Sequence, residues 1–217
     1  MNPARIGVVV ALLSAAAVLG PSIGLSPAWI TVLVMTTLVG VSVDAAVWDG
    51  RGGHLLAEAL PGGQARLRRI ALHEAGHRLV AQHEGLQPGP SQVGTLACLR
   101  AGRQACGSTE LPLPASAKLP LEDLRRWSRV LLAGMAAEVV VHGESEGGAD
   151  DRQLLGRLWG LSGQPASTAQ LEQRRARREV EQWLRQQRDG LERECETLLA
   201  AAPSLRRLSV PPAADAV

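Results

Sequence analysis

The sequence predicts a mainly α-helical protein: a hairpin of two apolar helices at the N-terminus, then one domain's worth of amphipathic helices holding a single small β-hairpin. Three observations predict it. No charged residue occurs from Ile6 to Val43, a span filled by two apolar runs around a Gly/Pro turn. Downstream, four stretches repeat apolar residues at the helical period and are bounded by helix start and stop residues. Between the first two of these lies the one region whose short apolar segments read as strands.

The first apolar run reads "IGVVVALLSAAAVLG", residues 6–20, and the second "AWITVLVMTTLVGVSV", residues 28–43. Each is near the lower end of the ~17–25 residues that span a bilayer. Gly20, Pro21, Gly24 and Pro27 make the turn between them. Trp29 and Trp48 fall where interfacial aromatics sit at the two ends of the second run. Arg5 precedes the hairpin, its turn has no Lys or Arg, and Arg51, Arg66, Arg68 and Arg69 follow it. The positive-inside rule then puts both ends, and the domain beyond, on the cytoplasmic (or stromal) side of an integral membrane protein. The alternative is a cleaved signal peptide over Met1–Gly20 with Ala15–Ala17 as its small-residue site.

The expected organisation is a transmembrane helical hairpin at 1–48, a Gly-rich linker at 49–63, a domain at 64–202 and a flexible tail at 203–217. "QARLRRIALHEAGHRLVAQHEG" reads as a helix closed by Gly85. "SQVGTLACL" and "CGSTELPLP" read as strands around "RAGRQA". "PLEDLRRWSRVLLAGMAAEVVVHG" is a second helix, with Glu122 and Asp123 in its first turn and Gly143 past its end. "DDRQLLGRLWGL" begins a third helix with two acids at its positive end, and a last helix is expected from about Gln170 to Ala201. Its apolar face carries Val180, Trp183, Leu184, Leu191, Cys195 and Leu198.

Composition narrows the function. A net charge of +2 on 217 residues argues against a nucleic-acid partner. With no Phe and no Tyr, the core must be built from Leu, Val, Ala, Ile and Trp. Cys98, Cys106 and Cys195 are an odd number and read as free thiols rather than a disulfide framework.

The chemistry begins at "HEAGH", residues 73–77. Chance yields H-E-x-x-H in roughly one chain of this length in a hundred, so the motif needs company. On a helix, positions i and i+4 share a face, so His73 and His77 offer two imidazole nitrogens to one tetrahedral zinc. Glu74 is rotated about 100° from His73 and does not ligate; it stands where it can act as general base on a water. A third protein ligand is required. His83 is about 15 Å along an unbroken helix from His73 and turned about 80° away, which leaves His142, Glu144, Glu146, Asp150 and Asp151.

"HEAGH" followed by "LLAGMAAEVVVHGESEGGADD" resembles the peptidase M41 domain of FtsH-type membrane proteases. In that family a G-x-A-A-E run precedes a G-A-x-x-D segment whose aspartate is the third zinc ligand. Gly134, Ala136, Ala137 and Glu138 match the run, and Gly148, Ala149 and an aspartate match the segment. "GADD" is one residue shorter than the family's segment, so either acid can align. Asp151, which leads straight into the helix, takes the ligand position and Asp150 that of the family's Asn. The resemblance covers roughly residues 65–159 and implies a helical, zincin-like fold. It further implies a Zn2+ cofactor on His73, His77 and Asp151, with Glu74 as the catalytic base. The implied partners are polypeptide substrates and the lipid bilayer, in a homo-oligomer or with an ATPase-bearing FtsH-type partner.

No G-x-x-x-x-G-K-[ST] occurs in the chain. The expectation is therefore a membrane-anchored zinc endopeptidase without its own ATPase module, acting on unfolded or membrane-associated proteins. A catalytically silent scaffold or regulatory subunit is the alternative. An intramembrane site-2-type protease is disfavoured, because Arg66, Arg68, Arg69, Arg78 and Glu84 make the HEAGH helix too polar for lipid.

Overall fold

A computed structural model describes residues 10–203 except 12, 13, 25, 49, 115 and 117, and does not describe the Trp48 side chain. Arg5, the start of the first apolar run, the Trp48 side chain and tail residues 204–217 therefore lie outside the described residues. Contacts divide the chain into two units, Met1–Leu56 and Ala57–Val217.

In the first unit, residues 14–19 are helical and end at Gly20, where a single 3-10 turn, Pro21–Ile23, leads to Gly24 at φ 83°. The positive φ is a conformation that glycine adopts without steric cost. Helix α1, Pro27–Trp48, follows. Its 22 residues cover about 33 Å at 1.5 Å per residue, enough for a hydrocarbon core of about 30 Å. Trp29, Val32, Leu33, Met35, Leu38, Val39, Val43 and Val47 all point outward, and Pro27–Val47 is the one helix among the described residues long and apolar enough to cross a membrane. Thr31 and Thr37 donate their hydroxyls to the carbonyls of Pro27 (3.0 Å) and Leu33 (2.8 Å), so neither needs water. Asp44, the charged residue of α1, accepts the backbone N–H of Gly52 at 2.6 Å.

The Gly-rich stretch expected to be a linker instead contains helix α2, Gly52–Ala59. The Asp44 carboxylate on the Gly52 N–H is an N-terminal cap that composition alone does not reveal, and it offsets the low helix propensity of the two glycines that start α2.

In the second unit the central element is α3, Gly63–His83. Its end shows why the chain stops there. Gly85 takes φ 76°, and the N–H of Leu86 donates to Ala81, a 6→1 closure. From Ala71 to His77 every residue is buried, because other elements pack on several sides of this helix: α5, Leu121–His142; α8, Arg188–Ala201; and a two-stranded sheet. The contact with α5 is made by small residues. A Cβ on Gly76 would come 2.6 Å from the Ala133 carbonyl oxygen and 2.8 Å from the Ala137 Cβ.

The sheet pairs β1, Ser91–Val93, with β2, Gly107–Thr109, antiparallel, in the register Ser91↔Thr109, Gln92↔Ser108 and Val93↔Gly107. The expected long first strand stops at Val93. Gly94 at φ 90° ends it, and Thr95–Arg100 forms helix α4, whose first turn receives the Glu58 carboxylate on the N–H (2.9 Å) and hydroxyl (2.7 Å) of Thr95.

Helix α5 ends at Gly143, φ 83°, and α6 spans Ala149–Leu161. Trp159 of α6 donates its indole N–H to the buried Ser128 hydroxyl (2.9 Å), which in turn donates to the Leu124 carbonyl (2.7 Å). The expected single last helix is two, α7, Ala166–Gln186, and α8, broken at Gln187. The apolar stripe continues through the break with Val180, Leu184, Leu191 and Cys195 buried. The break lets the chain change partner. Helix α7 packs on α5, held by the bidentate Arg125–Glu172 pair at 2.9 and 2.8 Å. Helix α8 packs on α3, with Arg78–Glu194 at 2.6 Å. All three cysteines are free thiols; Cys98 and Cys195 are buried and Cys106 is half-buried.

Replacing Gly76 with Ala gains up to about 1 kcal/mol of helix propensity but overpacks the α3–α5 contact, at a cost of about 1–3 kcal/mol. The obstructing atom is a backbone oxygen, which cannot yield by changing rotamer. The Gly76→Ala variant is expected to melt several degrees below the wild type in a thermal scan; an equal or higher midpoint would contradict this account of the packing.

Candidate metal centre

His73 and His77 lie one turn apart on α3, ring centroids 4.9 Å apart. Each imidazole is held from behind. The Nδ1 of His77 donates to the Val130 carbonyl at 2.9 Å, and the Nδ1 of His73 meets the Glu138 carboxylate at 2.7 Å. A carbonyl and an ionised carboxylate only accept, so both Nδ1 atoms carry the proton, and in the neutral rings the Nε2 atoms carry the lone pairs. Both Nε2 atoms face Asp151, whose Oδ2 is 3.2 Å from His73 and 3.5 Å from His77. Asp151 stands in the first turn of α6.

The partners on α5 follow one spacing. Val130, Gly134 and Glu138 are four residues apart and share a face of that helix. Val130 and Glu138 take the two Nδ1 atoms. Gly134, between them, has no side chain where one would collide: a Cβ there would overlap the His73 Nε2 and come 2.6 Å from the His77 Nε2. This glycine keeps open the space in front of both nitrogens.

One donor atom from each of His73, His77 and Asp151 lies within 4.8 Å of the other two. Two neutral imidazoles and a carboxylate, with anchored rings and a cradle that any larger residue at 134 would fill, suit a zinc ion that keeps one coordination position open. Asp150, one residue earlier, is exposed and outside the cluster. His142 and Glu144 are also exposed; Glu146 turns its side chain to Arg69 at 2.8 Å. His83 is exposed and stacks on Trp183, with ring centroids 4.5 Å apart.

No family model matches the chain. Among curated proteins, it is 35% identical over 103 residues to the ATP-dependent zinc metalloprotease FtsH of Hahella chejuensis, covering 43% of this chain and 16% of that protein. The ATP-dependent zinc metalloprotease FtsH 2 of Symbiobacterium thermophilum is 37% identical over 84 residues, 39% of this chain and 14% of that protein. The FtsH of Methylococcus capsulatus is 34% identical over 88 residues, 40% of this chain and 13% of that protein. Over that stretch the chain is FtsH-like. It spans about a sixth or less of the length of these FtsH relatives. The likeness relates it to zinc metalloproteases.

Glu74 is buried, and the hydroxyl of Thr109 on β2 donates to its Oε2 at 2.7 Å. Burial pushes its carboxyl above the usual range, against the pull of the two histidines and of Thr109. Burial also opposes charge on His73, but the Asp151 and Glu138 carboxylates outweigh it and raise that imidazole to about 10 in the metal-free protein. Burial disfavours ionised Asp151 as well; its hydrogen bonds to the two histidines prevail and hold it well below the usual carboxylate range.

Glu138 carries more of this site than its place in a sequence match indicates. Its side chain is 2% exposed. It accepts from Arg69 Nε at 2.7 Å and from the Glu146 N–H at 3.0 Å, while facing His73. Arg69 also donates to the Glu144 carbonyl at 2.9 Å. These bonds overcome the cost of burial and bring the Glu138 carboxyl down to about 2. The signal was present in the sequence: a lone acid inside "LLAGMAAEVVV" must find partners, since buried unpaired charge is costly.

Truncating Glu138 removes the acceptor of the Arg69 Nε and releases the His73 ring. The Glu138→Ala variant is expected to lose on the order of 3 kcal/mol of unfolding free energy in denaturant titration. Glu138→Gln, which still accepts from Arg69, is expected to lose clearly less. Equal losses for the two variants would show that the carboxamide makes none of these bonds.

Proposed function

We propose that this chain is a membrane-anchored zinc metalloendopeptidase of the M41 type, with α1 as its anchor. The observation that carries the reading is the convergence of His73, His77 and Asp151 within 4.8 Å, with buried Glu74 next in sequence to the first ligand. The FtsH-like stretch supports it. The arginines that follow the apolar helix, Arg51, Arg66, Arg68 and Arg69, support a cytoplasmic or stromal placement of the domain.

His73, His77 and Asp151 would hold the ion. A zinc there supplies Lewis-acid polarisation of a carbonyl and makes water more acidic. The protein's own groups do the rest. Val130 and Glu138 fix the ring orientations and tautomers of the ligands. Glu74, poorly solvated and therefore a stronger base than an exposed carboxylate, takes a proton from the attacking water and returns it to the leaving amine. Its burial confines substrates to segments that can present an extended backbone, which favours unfolded or membrane-associated polypeptides.

Glu74→Gln preserves size and removes the base. It is expected to lower the cleavage of fluorescein-labelled casein by roughly 10²–10⁴-fold with zinc content unchanged; undiminished cleavage would rule out Glu74 as the base. Metal uptake provides an independent check. The His73 pKa is raised from 6.5 to about 10, so the metal-free imidazole is protonated at pH 7, whereas a metal accepts only the neutral ring. Zinc binding at pH 7 should therefore release close to one proton from His73, seen by calorimetry in buffers of different ionisation enthalpy. Affinity should climb about tenfold per pH unit until pH approaches 10. Affinity that is flat with pH would exclude this ligand chemistry.

A further inference from the structure

Strand β2 makes two separate contacts with the Glu74 carboxylate, and they fall on different oxygens. Oε2 receives the Thr109 hydroxyl at 2.7 Å. Oε1 lies against Gly107, where a Cβ would stand 2.6 Å away. The glycine lets the strand backbone reach the carboxylate, and the threonine two residues on, on the same face of the strand, binds it.

The direction of the hydrogen bonds follows from the inventory. Thr109 has one hydroxyl proton, and at 2.7 Å it is donated to Oε2. The Ser91 hydroxyl lies 2.9 Å from the Thr109 oxygen, across the register pair Ser91↔Thr109. With the Thr109 proton committed, Ser91 must be the donor. The result is a chain, Ser91 to Thr109 to Glu74, in which each hydroxyl polarises the next. It joins both strands of the hairpin to one buried carboxylate and, among the described residues, leaves Oε1 without a hydroxyl partner.

We infer that Thr109, backed by Ser91, is a positioning residue that holds Glu74 by Oε2 and so fixes the orientation in which its carboxylate meets the reacting water. This rests on the metalloendopeptidase reading for its kinetic consequence but not for its geometry. A carboxylate with two rotatable bonds before its terminal torsion has many orientations open to it. Fixing one oxygen removes that freedom before the reaction begins, which is how a side chain outside the reacting atoms contributes to rate.

The test uses the full-length protein in detergent, loaded with zinc, with fluorescein-labelled casein as the probe substrate. Thr109→Val keeps the shape and removes the hydroxyl; it should lower kcat about 10- to 100-fold, the size expected for a lost hydrogen bond to an ionised group, with KM and zinc content unchanged. Thr109→Ser should recover most of that loss, and Ser91→Ala should cost only about threefold, a fraction of the same bond. A second readout needs no turnover. The infrared difference spectrum of each protein against its own Glu74→Gln counterpart isolates the Glu74 carboxylate band, which should shift in Thr109→Val and return in Thr109→Ser. Wild-type kcat in Thr109→Val, or no recovery in Thr109→Ser, overturns the inference; so does an unshifted band. If the wild type itself leaves casein whole, the endopeptidase reading fails separately, and the infrared band alone decides whether Thr109 holds Glu74.

Discussion

The close approach of α3 to α5 is the constraint from which the site follows. Helices meet this tightly only where side chains are small, and here Gly76 of α3 faces Ala133 and Ala137 of α5. At that separation a backbone carbonyl of one helix can serve as hydrogen-bond acceptor for a side chain of the other, as Val130 does for His77. The repeat of four residues on each helix does the rest. Two imidazoles one turn apart on α3 meet three positions, Val130, Gly134 and Glu138, one turn apart on α5. One helix contributes the ligand nitrogens and the other sets which way they face.

A polar centre inside a small helical unit is energetically demanding, since every buried charge must be matched. The matching is done by a compact set. Glu138 joins Arg69, His73 and the Glu146 backbone, and through Arg69 the loop carbonyl of Glu144 as well. The loop between α5 and α6 is thus tied to the same carboxylate that orients the first histidine, and α6, which brings Asp151, begins where that loop ends. Elsewhere the chain spans its helix interfaces with Arg–Glu pairs, as at Arg125–Glu172 and Arg129–Glu84.

The parts of this structure legible in the sequence were those governed by local rules. The HEAGH helix and its end at Gly85, the α5 helix and its end at Gly143, and the acid pair opening α6 all carry their signals within a few residues. The ends of three elements were set by partners distant in sequence, and there local reading failed. Helix α2 begins on glycines because Asp44 caps it from eight residues away. Helix α4 starts on Thr95, which Glu58 holds from 37 residues away. The break at Gln187 reflects a change of packing partner that a continuous apolar stripe does not announce. In the site, the histidine pair and its neighbouring acid were visible as a motif, and Asp151 came through a family likeness. The contacts of Glu138 and Thr109 depend on which backbone segments fold against α3, and no spacing encodes that.

The three thiols are unequal, and this makes the hairpin addressable. Burial pushes Cys98 up to about 12 and Cys195 up to about 11, so both remain protonated and sealed from solution at neutral pH. Cys106 is half-buried, with an Arg66 guanidinium nitrogen 3.8 Å from its sulfur. It immediately precedes Gly107, the residue whose backbone lies against Glu74. A thiol-directed fluorophore or spin label would therefore be steered to one sulfur, giving the native sequence its own reporter beside the buried carboxylate without any engineered cysteine.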